Sequence, residues 1–168
     1  YHRFFRLDVS FFDVGKEIQR RAPELSSFIN IQRGMRVLQP ERVDETLFSF
    51  LCTPNNNLNR IVKMVEKLSE YGKVNKTGFY EFPKIKQIAG VQESELRAQG
   101  FGYRGSVIPQ VAKMIMEKPS GWLENLKNAS YENAFRELQT LPGVGPKVSD
   151  CVCLIGMGHT SAVPVDTH

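Results

Sequence analysis

Cysteine is scarce and badly spaced for bonding: Cys52, Cys151 and Cys153 supply neither a CxxC pair nor an even set. That pattern excludes a disulfide framework, argues against a zinc site and makes a reducing compartment the expected environment. Long apolar runs are missing as well. No stretch reaches the roughly 20 residues that span a bilayer as a helix, so no membrane partner is expected. Internal repeats, low-complexity tracts and a convincing domain linker are also absent, which leaves a compact fold. The charge excess is slight: 22 Lys and Arg against 18 Asp and Glu give a net charge of +4 over 168 residues. This favours a polyanionic partner, but only weakly. What the chain does have is enough apolar content for a core, 41%, and a length at which roughly 70% of the unfolded surface becomes buried.

The periodicity of that apolar content is helical. Ser10 with Asp13 predicts a capped helix carrying Phe11, Val14 and Ile18, and Pro23 opens a second bearing Leu25, Phe28 and Ile29. Residues 31–38, interrupted by Gly34, are the best place for a short extended hairpin. Pro40 is expected to start a helix with Val43, Leu47, Phe50 and Leu51 on one side. The clearest amphipathic helix carries Leu58, Ile61, Val62, Val65 and Leu68 and is ended by Gly72. Residues 73–80 read as a polar loop. Shorter helices are expected over 83–89 and 93–99, then a striped one through Val107, Ile108, Val111, Ile115 and Met116, a short one at 122–126, and one carrying Tyr131, Ala134, Phe135 and Leu138. The expected fold is therefore all-α, one domain over residues 1–168 built as two helical lobes with a groove between them.

Chemistry concentrates at Leu141-Pro142-Gly143-Val144-Gly145-Pro146-Lys147, with Asp166 nineteen residues beyond the lysine in Val163-Pro164-Val165-Asp166-Thr167-His168. Two glycines two apart let the backbone turn with positive φ and approach another molecule closely, and the prolines stiffen the flanks. Pro146 suits the first position of a helix running to about Met157. A glycine loop entering a helix makes an anion site, because free N–H groups and the positive dipole end both face a phosphate. The same turn also suits an ordinary helix connection. Lys147 sharpens the case, since a cation is least welcome at a helix start. Either it pairs with phosphate, or it is an amine that the dipole and partial burial help to hold neutral for attack on an electrophilic carbon. Cys151 lies one turn further on the same face, while Val148, Val152 and Ile155 form the apolar stripe. Lysine and cysteine would then look into one cleft.

Residues 139–153 with 163–168 resemble the helix-hairpin-helix DNA glycosylase superfamily, and within it the chain most resembles 8-oxoguanine DNA glycosylases of the eukaryotic type. Three further stretches carry the narrower match: Phe4-Phe5-Arg6-Leu7-Asp8-Val9, Phe50-Leu51-Cys52-Thr53-Pro54-Asn55-Asn56-Asn57, and Gly100-Phe101-Gly102-Tyr103-Arg104. They occur in the family's order over nearly the whole chain.

The resemblance implies a base-excision enzyme with glycosylase and AP lyase steps. Lys147 would attack C1′ of a flipped deoxyribose and Asp166 would stabilise the developing positive charge; Asp166 also suits a helix N-cap after Pro164. Cys151 resembles the cysteine that touches the base, with a small buried hydrophobe as the plainer reading, and Cys153 reads as core. One of Asn55, Asn56 and Asn57 has to cap the next helix, and three exceed that need. By resemblance Asn55 fills the gap left by the extruded base, and Arg60, Tyr103 and Arg104 contact the orphaned cytosine, although Tyr103 could equally cover the core. Gly143, Gly145, Lys147, Val148 and His168 would hold backbone phosphates, His168 being equally suited to an unstructured end. Carbonyls of Leu141 and Val144 could hold a monovalent cation; no cofactor is called for. The implied partner is double-stranded DNA containing 8-oxoguanine opposite cytosine, bound by a monomer. The implied location is the nucleus, and a mitochondrial address would lie in residues outside this sequence. Beginning at Tyr1 rather than Met, and stopping directly after the motif, the chain reads as a segment. The family's N-terminal β-rich domain and later helices are not fully represented, so as a whole molecule it would have weak or no glycosylase activity. Two alternatives stay open. An endonuclease III-like oxidised-pyrimidine glycosylase shares the hairpin, lysine and aspartate, and a noncatalytic module would use the hairpin only to grip phosphates. Lys147 argues against the alkylated-base glycosylases, which generally lack it.

Overall fold

A computed structural model describes residues 1–32 and 34–166, which divide into two compact units, Tyr1–Glu41 and Arg42–His168. In the first, α1 (Phe11–Arg21) opens as expected, the Ser10 hydroxyl accepting the Asp13 N–H at 3.3 Å. A 3₁₀ turn (Pro23–Leu25) leads into α2 (Ser26–Ile31). Gly15 lets α1 approach α2 closely, because a Cβ there would stand 3.1 Å from Ile29 Cγ2.

The extended hairpin expected at 31–38 is not formed among the described residues: Ile31 completes α2, and residues 35–40 have no ladder partner. Their groups are engaged otherwise. The Arg36 Nη1 donates to the carbonyls of Arg6 at 2.8 Å and Val9 at 3.3 Å, and the Gln39 N–H donates to the Phe4 carbonyl at 2.9 Å. Strand-like pairing occurs instead in the stretch read as a loop. Val74 bridges Tyr80, with Asn75 N–H to the Phe79 carbonyl and Glu81 N–H to the Lys73 carbonyl, both at 2.8 Å. The cause is local. The Asn75 carboxamide oxygen accepts from the Thr77 and Phe79 N–H groups at 3.0 Å, and Gly78 takes φ +84°, turn chemistry that polar composition concealed.

The second unit contains α3 (Val43–Leu51), α4 (Leu58–Ser69), α5 (Ile85–Ala89), α6 (Glu93–Ala98), α7 (Arg104–Glu117), α8 (Trp122–Asn125), a 3₁₀ turn (Leu126–Asn128), α9 (Tyr131–Leu138) and α10 (Pro146–Cys151), which runs on as a π-helical stretch (Val152–Met157). α3 begins at Val43 rather than near Pro40: the Arg42 backbone is extended, at φ −106° and ψ 123°, while its guanidinium bonds Asp44 and the Phe82 and Pro83 carbonyls. Its core gathers one side of nearly every helix: Leu47, Phe48, Leu68, Ile88, Leu96, Ile108, Leu138 and Val152 are fully buried, with Phe101 and Leu141 contributed by loops. At about 1.5–3 kcal/mol for each large apolar side chain, such burial supplies the main favourable term. The π-helical stretch lies against α3, where a Cβ on Gly156 would meet Thr46 at 3.2 Å. Packing against α3 holds the lysine-bearing helix in place.

Candidate active site

The expected hairpin lies between α9 and α10. Gly143 is the glycine its geometry demands, with φ +75° and a hypothetical Cβ 2.8 Å from Val107 Cγ1 and 3.4 Å from Leu51 Cδ2. Gly145 departs from the expectation of a second positive φ: it is extended, at φ −89° and ψ −177°, and a Cβ on it would meet nothing within 4 Å. The fold therefore does not require glycine at 145. A second body approaching the exposed backbone would.

Behind Gly145, Pro146 takes the first helical position and the Ser149 N–H closes onto the Gly145 carbonyl at 3.0 Å. The N–H groups of Lys147 and Val148 occupy the turn in which an α-helix offers them no acceptor. Val148 is buried, so its side chain fixes where those donors point. The Leu141 carbonyl already accepts the Val144 N–H at 3.2 Å and keeps a second lone pair, which is compatible with the monovalent cation considered for Leu141 and Val144. Among the described residues no group of three or more His, Cys, Asp or Glu side chains is placed to hold a metal ion.

Lys147 Nζ pairs with Asp166 Oδ2 across nineteen residues of sequence. Both side chains are close to half exposed, 42% and 49%, so a substrate can reach them. Cys151 is buried beside the pair: burial pushes its thiol up, the Lys147 charge opposes that, and the charges of Asp150 and Asp166 add to it. Lysine, carboxylate and cysteine are thus brought together. Cys153 lies in the core, its thiol pushed up to about 12 by burial. Thr167 and His168 lie outside the described residues, and with them the phosphate role considered for His168 and the helix that Asp166 would cap.

The second cluster is assembled by two main-chain carbonyls. Pro54 O accepts Tyr103 Oη–H at 3.3 Å and also a bond from Arg104 Nη2; Gly100 O accepts Arg60 Nη2 at 3.2 Å. The three asparagines divide their work. Asn56 donates to the Cys52 carbonyl at 2.9 Å, Asn57 caps α4 by accepting the Arg60 N–H at 3.0 Å, and Asn55 is exposed in a left-handed conformation at φ +49°. Asn55 is the member of the triplet whose side chain makes no hydrogen bond among the described residues. Tyr103 is half exposed and lies over the Arg104 guanidinium at 4.6 Å. Arg104, which the resemblance places against the orphaned cytosine, is only 3% exposed here, and its Nε is buried with no hydrogen-bond partner among the described residues. The glycine loop turns the arginine inward because the Pro54 carbonyl competes for it.

Reading the sequence missed the tie between Tyr131 and Asp150, in which Tyr131 Oη–H donates to Asp150 Oδ1 at 2.7 Å and joins α9 to α10 three residues from Lys147. The bond pushes the tyrosine hydroxyl up to about 12. A signal existed, since Asp150 is the one carboxylate between Pro146 and Met157, and a carboxylate in such a run needs a partner.

No family model matches the chain. It is 36% identical to the N-glycosylase/DNA lyase of Arabidopsis thaliana over 98% of its own length and 47% of the relative's. It is also 36% identical to the N-glycosylase/DNA lyase of Saccharomyces cerevisiae, over 99% and 48%. It superposes with TM-score 0.87 and 29% identity on the Clostridium acetobutylicum 8-oxoguanine glycosylase/lyase, solved with double-stranded DNA containing cytosine opposite 8-oxoguanine, covering 99% of this chain and 58% of that one. The chain therefore spans about half the length of the curated relatives. Over nearly all of its own length it is related to the N-glycosylase/DNA lyases, and it carries their helix-hairpin-helix glycosylase fold.

Proposed function

We propose that this chain provides the catalytic lysine and the opposite-base surface of a base-excision enzyme that removes 8-oxoguanine from opposite cytosine and then cleaves the abasic strand. The observation that carries the reading is the partly exposed Lys147–Asp166 pair beside a hairpin whose Gly145 backbone is open to approach. Asp166 positions the amine; in its neutral form the amine attacks C1′ of an extruded deoxyribose, forming the C1′–N bond as the glycosidic bond breaks, the electron pair leaving with the base, which takes up the proton that the attacking nitrogen gives up. The carboxylate stabilises the positive charge that develops on the sugar. Ring opening gives a Schiff base, loss of a C2′ proton follows, and the 3′ phosphate leaves with the C3′–O electron pair.

Hairpin N–H groups of Lys147 and Val148 grip the backbone phosphate, with His168 as a further phosphate contact. Cys151 lines the base pocket. Asn55, Arg60 and Tyr103 face the unpaired cytosine, whose edge takes the donors that amide and guanidinium groups present, and Arg104 joins them by leaving the Pro54 carbonyl that holds it inward in the free chain. Flipping costs a few kcal/mol of stacking, which an inserted aromatic ring and new polar contacts offset. The protein acts as a monomer on nuclear DNA.

Incubation with an abasic duplex and borohydride, beside Lys147→Gln, tests the reading on residues present here. A covalent adduct lost in the variant, with duplex binding retained, is the expected result. No adduct would leave a noncatalytic DNA-binding module. With 8-oxoguanine and oxidised-thymine duplexes in parallel, preference for the thymine lesion would replace the substrate assignment by the endonuclease III-like one.

A further inference from the structure

Helix α4 reaches the loop before α7 with two cations, not one. Arg60 and Lys67 are seven residues apart, hence on one face, and they donate to consecutive carbonyls: Arg60 Nη2 to Gly100 O at 3.2 Å, Lys67 Nζ to Gln99 O at 2.8 Å. The recipients are followed by Phe101, which is fully buried, and then by Gly102 and Tyr103. Gly100 and Gly102 both take positive φ, +92° and +59°, and a Cβ on either would meet nothing within 4 Å. No side chain crowds these glycines; Tyr103 is placed by Phe101, buried between them, by its own bond to the Pro54 carbonyl, and by what holds the stem of the loop.

The two anchors differ in kind. Arg60 is exposed, and its bond to Gly100 is long. Lys67 belongs to a partly buried network: Gln99 Nε2 donates to Tyr71 Oη at 2.9 Å, and Tyr71 Oη–H donates to Glu95 Oε1 at 2.9 Å. Tyr71 is held in turn through its carbonyl, which accepts Gln87 Nε2 at 2.8 Å. Lys67 also sits where α6 ends, and a cation there complements the helix dipole.

We infer that Lys67, fixed through Gln99, Tyr71 and Glu95, is a positioning residue for opposite-base recognition. It holds the stem of the Gly100–Gly102 loop so that Arg60 can release Gly100 and turn to the base without Tyr103 losing its place. This rests on the proposed reading of Arg60 and Tyr103. The ammonium touches no nucleotide; it acts through the backbone of residue 99.

The test measures binding of this chain, by fluorescence anisotropy, to duplexes carrying a tetrahydrofuran abasic analogue opposite cytosine or adenine, so no catalysis is needed. The ratio of the two affinities is the readout, because a purely structural loss weakens both duplexes alike. The unaltered chain should favour cytosine. Lys67→Met should reduce that preference by roughly fivefold or more, within the range one well-placed base contact supplies, while adenine-duplex affinity stays the same, and Lys67→Arg should restore it. Tyr71→Phe, which removes a single hydroxyl, should reduce the preference in the same direction and decides the matter if Lys67→Met unfolds. A cytosine preference kept in Lys67→Met or, failing its folding, in Tyr71→Phe, overturns the inference and leaves the parent reading intact. No cytosine preference in the unaltered chain overturns both.

Discussion

The two hairpin glycines should separate into one that serves the fold and one that serves the ligand. In Gly143→Ala the left-handed conformation alone costs an L-residue roughly 1–2 kcal/mol. The new methyl would stand 2.8 Å from Val107 Cγ1. Val107 is β-branched and stiff at χ1, so relief requires α7 or the hairpin to shift, an overpacking cost of roughly 1–3 kcal/mol. The sum, about 2–5 kcal/mol, corresponds to a melting temperature lower by roughly 4–20 °C for a chain of this size. Trp122 is the only tryptophan and lies in the second unit, so its fluorescence follows unfolding of the unit that contains the hairpin. Gly145→Ala behaves differently. At φ −89° with open space around it, alanine should leave stability unchanged or raise it by about 0.4–1 kcal/mol. It should nevertheless weaken duplex binding by roughly tenfold or more, as expected if one charge-assisted N–H to phosphate bond is lost. Equal destabilisation by the two substitutions, or unimpaired DNA binding by Gly145→Ala, would refute the reasoning.

Three further outcomes follow from named contacts. Asp166→Asn keeps the side chain's shape but removes its charge, and should slow borohydride trapping on an abasic duplex by on the order of a hundredfold with duplex affinity nearly unchanged; equal trapping removes Asp166 from the chemistry. Asn57→Ala should cost about 1 kcal/mol as a lost N-cap, read as a lower urea midpoint, whereas Asn55→Gly should lose no stability, because φ +49° suits glycine better, yet should lower affinity for an abasic duplex opposite cytosine. Burial holds the Cys52 and Cys153 thiols up at about 12 and raises that of Cys151. Since thiolate is the reactive form, iodoacetamide at pH 8 should label none of the three in the native chain and all three in denaturant, as counted by mass spectrometry. Rapid native labelling of Cys151 would contradict its buried placement.

The sequence by itself determined what depends on neighbours a few residues apart. The Ser10 cap, the existence of α4, the hairpin entering Pro146, and the pairing of residue types in Lys147 and Asp166 were all readable, because helical period and cap chemistry act over one or two turns; of the stripe expected on α4, Leu68 is buried but Leu58 and Val62 are exposed, and Met64 takes the core position instead. Even locally, polar composition misled, since the Asn75–Gly78 turn pairs Val74 with Tyr80 while the described residues of the expected 31–38 hairpin form no such bridge. Only the tertiary structure decided which of three adjacent asparagines points outward, that Arg104 is buried against Pro54, that Gly143 rather than Gly145 is demanded by packing, and that Tyr131 is the partner of Asp150. The bonds of Arg104 and Tyr131 join groups fifty and nineteen residues apart, and the contact that demands Gly143 is with Val107. Such outcomes are set by the distances at which the packed core leaves the groups, information that no local pattern contains.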